Sequence, residues 1–334
     1  MNKVLKSLLL LFGFIIVTSC SKSDNAALEP LRDYEVQKAT DMNNIETFMK
    51  THYLTVTNSP GTEDDMDVTY TPIPSGGTQV SIWDQTDYPK QTRTVTVRQG
   101  ENDVVYTIYY LLLREGVGTN SKSPCNVDNV LTGYRGEFLY TKTETVGENT
   151  TTSIAGTQFE ENKNPSSFFS LTGVIRGWSE IFPKLKTGSY LENPDGTISY
   201  ANFGAAVMFV PSGLAYYRGS QGTIPAYSPL VFSVKLFEIQ RTDQDGDGIY
   251  SYQEDINNDG YVVTLPTGVI NPDDTDGDGI PDFQDSDDDN DGYLTRYETR
   301  INVLETATYP FDDIPTCGTS GNGKKRYLDP TCHN

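Results

Sequence analysis

The spacing of apolar positions along this chain changes several times, and each change marks an element. Between Leu31 and Tyr53, the residues Tyr34, Met42, Ile45, Phe48 and Met49 recur at the spacing of one helix face, which predicts an amphipathic helix packed within the chain. From 66 to 98, Val, Tyr, Ile, Trp and Thr alternate between Pro-, Gly- and Ser-containing turns, the pattern of several strands. These strands either extend a neighbouring sheet or form a small unit of their own, and the pattern leaves both open. Tyr106 to Leu113 is a nearly unbroken apolar run closed by Arg114-Glu115-Gly116, which reads as a strand and its turn. Leu191 to Thr197 contains Asn193-Pro194-Asp195-Gly196 and predicts a hairpin. Val231, Val234 and Leu236 belong to a last apolar strand and are assigned to the core. From Asp243 onward the apolar pattern gives way abruptly to Asp, Asn and Gly.

Within this frame four apolar and aromatic blocks follow one another without an obvious nucleophile, base or metal ligand. They are Val174-Ile175-Arg176-Gly177-Trp178, Val210-Pro211-Ser212-Gly213-Leu214-Ala215-Tyr216, Ile224-Pro225, and Leu230-Val231-Phe232-Ser233-Val234-Lys235-Leu236. Sites of this composition bind apolar or proline-like groups, or exclude water from a reaction that needs no covalent catalyst. In order and content the blocks resemble the signature segments of the FKBP-type peptidyl-prolyl cis–trans isomerases. The resemblance covers roughly residues 104–240. Tyr106–Gly116 looks like the family's first strand, Gly133-Tyr134-Arg135-Gly136 like the strand bearing a pocket tyrosine, and Gly156-Thr157-Gln158-Phe159-Glu160 like its G-x-x-F-D segment.

The resemblance implies an α+β fold, an antiparallel sheet wrapped on a short helix, to which the acidic segment read below adds a calcium-bound loop module with little regular structure. It implies a pocket of Tyr134, Phe159, Glu160, Val174, Ile175, Trp178, Tyr216, Ile224 and Phe232, and X–Pro bonds of polypeptides as substrate. Trp178 would floor the cleft under the proline ring, and the Tyr216 hydroxyl and Ile175 N–H would hold substrate carbonyls. A further pocket aromatic falls near Ser167 or Phe168, with the register open. The chain departs from the pattern at Glu160, where the family carries aspartate, in a longer Thr-, Glu- and Gly-rich segment between Tyr134 and Phe159, and in the loop Tyr217–Gly222. Glu160 and the longer segment before Phe159 favour a rival reading, an FKBP fold kept as a non-enzymatic binding or chaperone module of a surface assembly, while intact Trp178, Tyr216 and Phe232 favour the enzyme.

The acidic segment carries its own pattern. Asp243, Asp245, Asp247, Ile249, Ser251 and Glu254 occupy positions 1, 3, 5, 7, 9 and 12 of an EF-hand-type loop, with Gly248 at position 6. Asp287, Asp289, Asp291, Thr295 and Glu298 repeat it around Gly292, and Asp274, Asp276, Asp278, Asp282 and Asp285 form a third loop around Gly279. Asp255, Asn257, Asp259 and Gly260 begin a fourth, but Pro266 takes its twelfth position and leaves it partial. Hard oxygen donors at this spacing point to structural Ca²⁺. The crowding of the loops and Pro281 resemble thrombospondin type-3 repeats rather than paired EF-hand helices. No apolar groove between movable helices is evident, so a structural role is expected rather than a calcium sensor.

Lys3, Lys6 and the apolar run Leu8–Val17 read as a signal segment, and Val17-Thr18-Ser19-Cys20 resembles the bacterial lipobox. The run is too short to span a bilayer. The expectation is cleavage before Cys20, lipid on its thiol, and an envelope lipoprotein on the periplasmic or surface face of the outer membrane. With 25 basic against 46 acidic residues the net charge is −21, which argues against nucleic-acid binding. Cys317 and Cys332 flank a Gly- and Lys-containing tail and are candidates for a disulfide, with other pairings to Cys125 open; Cys125 itself reads as inert. The two histidines, His52 and His333, offer no Ser-His or Cys-His site and no histidine zinc site. The expected organisation is a signal (1–19), tether (20–30), helix and strands (31–103), isomerase domain (104–240), calcium repeats (241–300) and tail (301–334). Oligomeric state is open.

Overall fold

The computed structural model describes residues 29–99, 102–266, 268–302, 304, 306–317 and 323–332. The signal segment and the Cys20 lipidation site lie outside the described residues. Among the described residues no helix is long and apolar enough to cross a membrane.

Helix α1 spans Tyr34–Thr51, started by Asp33, whose carboxylate accepts from the Val36 N–H at 3.0 Å. It stops where His52 turns extended and begins β1 (His52–Val56), which pairs with β2 (Val68–Pro72). The strands that follow are β3 (Lys90–Gln99), β4 (Asn102–Arg114), β5 (Asn129–Val146), β6 (Asn149–Asn162) and the short β7 (Phe169–Ser170). Helix α2 (Arg176–Ile181) comes next, then the hairpin β8 (Ser189–Glu192) and β9 (Ile198–Ala201), and the strands β10 (Gly204–Val210) and β11 (Leu230–Gln240). The Asn193-Pro194-Asp195-Gly196 turn joins β8 to β9, closed by the Gly196 N–H donating to the Asn193 carbonyl at 2.9 Å.

One seven-stranded antiparallel sheet runs β3-β4-β10-β11-β5-β6, with β7 paired to the start of β5. The strands at 66–98 therefore divide: β2 joins β1, whereas β3 extends the large sheet along Asn102–Leu111 of β4. The boundary expected at 103/104 falls inside the β3–β4 pairing, so the sheet begins with residues assigned above to a separate segment.

Each face of the sheet is covered. Val95, Tyr106, Ile108, Met208, Val210, Phe232 and Val234 face α2 through Trp178, Ile181 and Phe182. Leu111, Val207, Phe209, Val231 and Leu139 face α1 through Ile45, Phe48 and Met49. β10 is buried at every position because both layers close over it. On α1 the buried stripe also includes Gln37 and Asp41, while Met42 is only half-buried. The polar pair is satisfied: Gln37 Nε2 donates to Asp41 at 2.6 Å, and Asp41 accepts from the Ser212 N–H at 2.7 Å and hydroxyl at 2.6 Å. Burial outweighs these bonds and raises the Asp41 pKa to about 6.

After β11 the chain is held by short turns, with a helix α3 (Thr295–Glu298) near its end. It packs on the sheet domain through Cys125, Val127, Val262 and Phe283. Asn126 bonds both main-chain groups of Val262, at 2.8 and 2.9 Å, and Arg241 pairs with buried Asp128. Cys317 and Cys332 form a disulfide, and Cys125 is buried, its thiol pushed up to about 12 by burial.

Candidate functional site

Helix α2 is one and a half turns long and lies close on β10, because a Cβ at Gly177 would stand 2.5 Å from Val210 Cγ1. That approach places Trp178 at the centre of an aromatic box. Its ring centroid lies 5.1 Å from Tyr134, 5.8 Å from Phe169, 5.3 Å from Phe182 and 5.3 Å from Phe232, with interplanar angles of 74°, 73°, 44° and 89°. Edge-to-face pairs of this kind are favourable beyond their area and hold the ring in one orientation. Phe159 stands at 85° to Phe232, centroids 5.7 Å apart. It reaches that position only because Gly136, paired with Phe232 on β11, has no side chain: a Cβ there would lie 2.3 Å from Phe159 Cζ.

These residues enclose an open cleft of about 480 Å³ lined by Tyr134, Phe159, Glu160, Val174, Ile175, Trp178, Tyr216 and Phe232, together with Phe169, Gly173 and Ala215. Every expected pocket residue is brought together except Ile224, which is buried in the core beside the cleft and does not line it. The further aromatic is Phe169, placed by the β7–β5 pairing; Phe168, one residue earlier, is exposed. At the rim the Tyr134 hydroxyl faces the Glu160 carboxylate, which also lines the cleft. Burial first, and the Glu160 charge second, raise the pKa of both Tyr134 and Tyr216, keeping the hydroxyls protonated as donors. Ile175 is extended and starts α2, and its N–H has no main-chain acceptor among the described residues. A polar cavity of about 310 Å³ elsewhere is lined by Asp64, Asp67, Lys163 and Lys235, which already pair with one another.

Behind the cleft, α2 is tied to the rest of the molecule through Glu180, which is 2% exposed. Its carboxylate accepts from Arg93 at 2.8 Å and Arg176 at 2.7 Å, and its carbonyl accepts from the Tyr261 hydroxyl at 2.7 Å. Arg93 lies 3.8 Å over the Tyr261 ring, so the acidic segment rests against the back of the helix that carries Trp178.

The acidic loops repeat one backbone design. Asp243 accepts from the Gly246 and Gly248 N–H at 2.8 and 3.1 Å, and Asp274 from those of Gly277 and Gly279 at 2.7 and 3.0 Å. Gly248, Gly279 and Gly292 all have positive φ, which the turn demands. Three triads bring ligand oxygens within 4.8 Å of one another: Asp243/Asp245/Asp247, Asp274/Asp276/Asp278 and Asp287/Asp289/Asp291. The ninth residues Ser251, Asp282 and Thr295 each accept from the N–H of the second residue of their own loop, at 3.1, 2.7 and 3.3 Å. Ile249 is buried with Ile314, Tyr327 and Leu328. Asp285 accepts from the Asp287 N–H at 3.0 Å and stands outside the 274/276/278 triad.

The donor set fits a hard divalent cation: all ligand atoms are oxygen, and buried oxygens of Asp245, Asp247, Glu254, Asp276, Asp287, Asp289 and Glu298 have no hydrogen-bond partner. Burial and neighbouring carboxylates push Asp245 to about 8, Glu254 to about 10 and Glu298 to about 8. Two buried acids lay outside the loop pattern. Asp273 accepts from the Ile256 N–H at 3.1 Å in the partial loop and leaves Oδ2 without a partner, and Asp288 joins Asp247 and Glu254.

Comparison with known proteins finds distant similarities over parts of the chain. The chain is 33% identical over 100 residues to the FKBP-type peptidyl-prolyl cis-trans isomerase FkpA of Aeromonas hydrophila, covering 29% of this chain and 32% of that protein. It is 27% identical over 145 residues to the FKBP-type 22 kDa peptidyl-prolyl cis-trans isomerase of Escherichia coli, covering 42% and 54%. The chain thus spans about a third and about half of these relatives. A family described as BamM C-terminal matches residues 244–324, the acidic loops and much of the tail. Among solved structures, a peptidyl-prolyl cis-trans isomerase from Pseudomonas syringae pv. tomato gives a TM-score of 0.31 at 15% identity, over 64% of this chain and 100% of that one. FkpA from Escherichia coli gives 0.27 at 24% identity, over 40% and 48%. These superpositions are too loose to bear on the site. Over part of its length the chain is distantly similar to FKBP-type isomerases.

Proposed function

We propose that this protein is a peptidyl-prolyl cis–trans isomerase of the bacterial envelope, acting on X–Pro bonds of other envelope or surface proteins. The observation that carries the reading is the convergence of Trp178, Phe232, Phe159, Tyr134 and Tyr216 on one open apolar cleft, in a chain distantly related to FKBP-type isomerases. Rotation about the X–Pro bond must break amide resonance, a barrier of about 18–20 kcal/mol. The twisted amide is less dipolar than the planar one. A cleft walled by aromatic rings therefore disfavours the ground state more than the transition state, the differential binding that accelerates a reaction. Trp178 underlies the proline ring, Phe159 and Phe232 exclude water, and the Tyr216 hydroxyl and Ile175 N–H orient substrate carbonyls. No proton is transferred and no covalent intermediate is needed.

The three acidic triads, with Glu254 and Glu298, are the residues to hold structural Ca²⁺, which would neutralise carboxylates that otherwise repel and order the segment against α2. A lipid on Cys20 would tether the mature chain to the membrane. The test is acceleration of X–Pro isomerisation by the mature chain in a protease-coupled peptide assay, with loss in Phe232→Ala. A second reading, a non-enzymatic binding module of an envelope assembly, is favoured by the match of residues 244–324 to the BamM C-terminal family. It predicts binding of unfolded chains without any rate enhancement.

A further inference from the structure

Buried carboxylates without partners gather at one point that the loop spacing does not explain. Asp247, Glu254 and Asp288 each bring a carboxylate oxygen within 4.8 Å of the others. Glu254 is fully buried and Asp288 is 1% exposed; both oxygens of each lack a hydrogen-bond partner, as does Asp247 Oδ2. Asp247 and Glu254 belong to the first acidic loop. Asp288 is the second residue of the last, a position at which an EF-hand-type loop places no ligand. Its N–H is engaged by Thr295 Oγ1 at 3.3 Å, while its side chain joins the first loop's acids rather than the triad of its own loop. Nearby Asp282 is already committed to the Thr275 N–H and hydroxyl, each at 2.7 Å. Taking a single carboxylate out of water costs several kcal/mol unless it is paired, and here three converge with no basic hydrogen-bond partner.

We propose that Asp247, Glu254 and Asp288 hold a divalent cation, calcium by the all-oxygen chemistry of the donors, that clamps the first acidic loop to the last. The centre adds to the ions read into the triads and deepens that calcium reading. It explains why an aspartate that spacing does not require is buried in a highly charged surface segment. With the cation bound, residues 255–286 become a closed excursion between two fixed loops, and the partial loop at Asp255 is held within it.

The test compares the mature wild-type chain with Asp288→Asn, using calcium chloride alone as the probe. Calcium titration calorimetry and thermal unfolding are followed with and without chelator. Asp276→Asn, in the third-loop triad, serves as a control outside the clamp. The expected result is that Asp288→Asn weakens one class of bound calcium at least tenfold and leaves the class lost in Asp276→Asn in place. In chelator Asp288→Asn melts above wild type, because a repelling charge is gone; in calcium it melts below, so the order reverses. Asp288→Ser repeats the reversal if the asparagine variant does not fold. A wild type that binds calcium while both Asp288 variants titrate identically to it overturns the clamp alone. Shifts of the same sign with and without calcium also overturn it, as for a merely structural aspartate. A wild type that binds no calcium overturns the clamp and the triad reading together.

Discussion

Gly136→Ala isolates the geometry on which the cleft depends, because it adds a single methyl group that no substrate touches. In the folded chain that Cβ would lie 2.3, 2.8 and 2.9 Å from Cζ, Cε2 and Cε1 of Phe159, whereas ordinary contact begins at 3.4 Å. Relieving the closest approach requires the Phe159 ring to move by about 1 Å, the difference between 3.4 and 2.3 Å. The ring cannot slide toward β11 without meeting Phe232, whose centroid is 5.7 Å away, so it is driven out of its wall position. Overpacking of this size costs about 1–3 kcal/mol of stability. A displacement of roughly 1 Å in a reacting site lowers turnover by up to about 100-fold. Denaturant unfolding and kcat/KM for an X–Pro peptide measure the two effects. Phe159→Leu in the same chain removes the ring that the methyl strikes, so the double variant should recover at least about 1 kcal/mol relative to additivity. Unchanged stability and activity in Gly136→Ala, or strict additivity in the double variant, would refute the reasoning.

Other outcomes follow from the same structure. Phe232→Ala should cost about 3–5 kcal/mol of stability and lose more activity than Glu160→Gln, since the ring closes the cleft while the acid only faces Tyr134 at its rim; peptide isomerisation of the folded variants checks the order. Chelation should expose residues 241–300 to protease, and calcium at about 100 times its dissociation constant should restore protection worth roughly 2.7 kcal/mol; identical digests would contradict metal-dependent order. Asp41, raised from 3.8 to about 6 by burial, favours folding most when protonated in both states. Its contribution should fall as pH rises from about 4 to about 6, by an order of 3 kcal/mol. The stability of wild type relative to Asp41→Asn, from denaturant melts, should decline over that window; a flat difference would show that Asp41 ionises as freely in the folded chain as in the unfolded one.

The cleft was legible through the resemblance its motif blocks carry, which implied a shared pocket for Tyr134, Phe159, Trp178, Tyr216 and Phe232, and the structure brings these residues together. Phe169 was not legible because a two-residue strand carries no period to choose between neighbouring positions. The place of β3 was hidden because the pattern of an edge strand states that it pairs, not with what. Gln37 and Asp41 interrupt the apolar stripe of α1, and only Ser212, far along the chain, shows why the core accepts them. Asp273 and Asp288 eluded the loop pattern for a related reason: Asp273, just before the third loop, accepts from the partial loop, and Asp288, inside the last loop, joins acids of the first.

The most direct test of the central claim is the rate of cis–trans isomerisation of X–Pro peptides in the presence of the chain, assayed with calcium added. The account predicts acceleration above the uncatalysed rate that is saturable by substrate and lost in folded Phe232→Ala. A well-folded wild-type chain that binds unfolded polypeptides yet never exceeds the uncatalysed rate on any X–Pro peptide would contradict it and leave the binding-module reading standing.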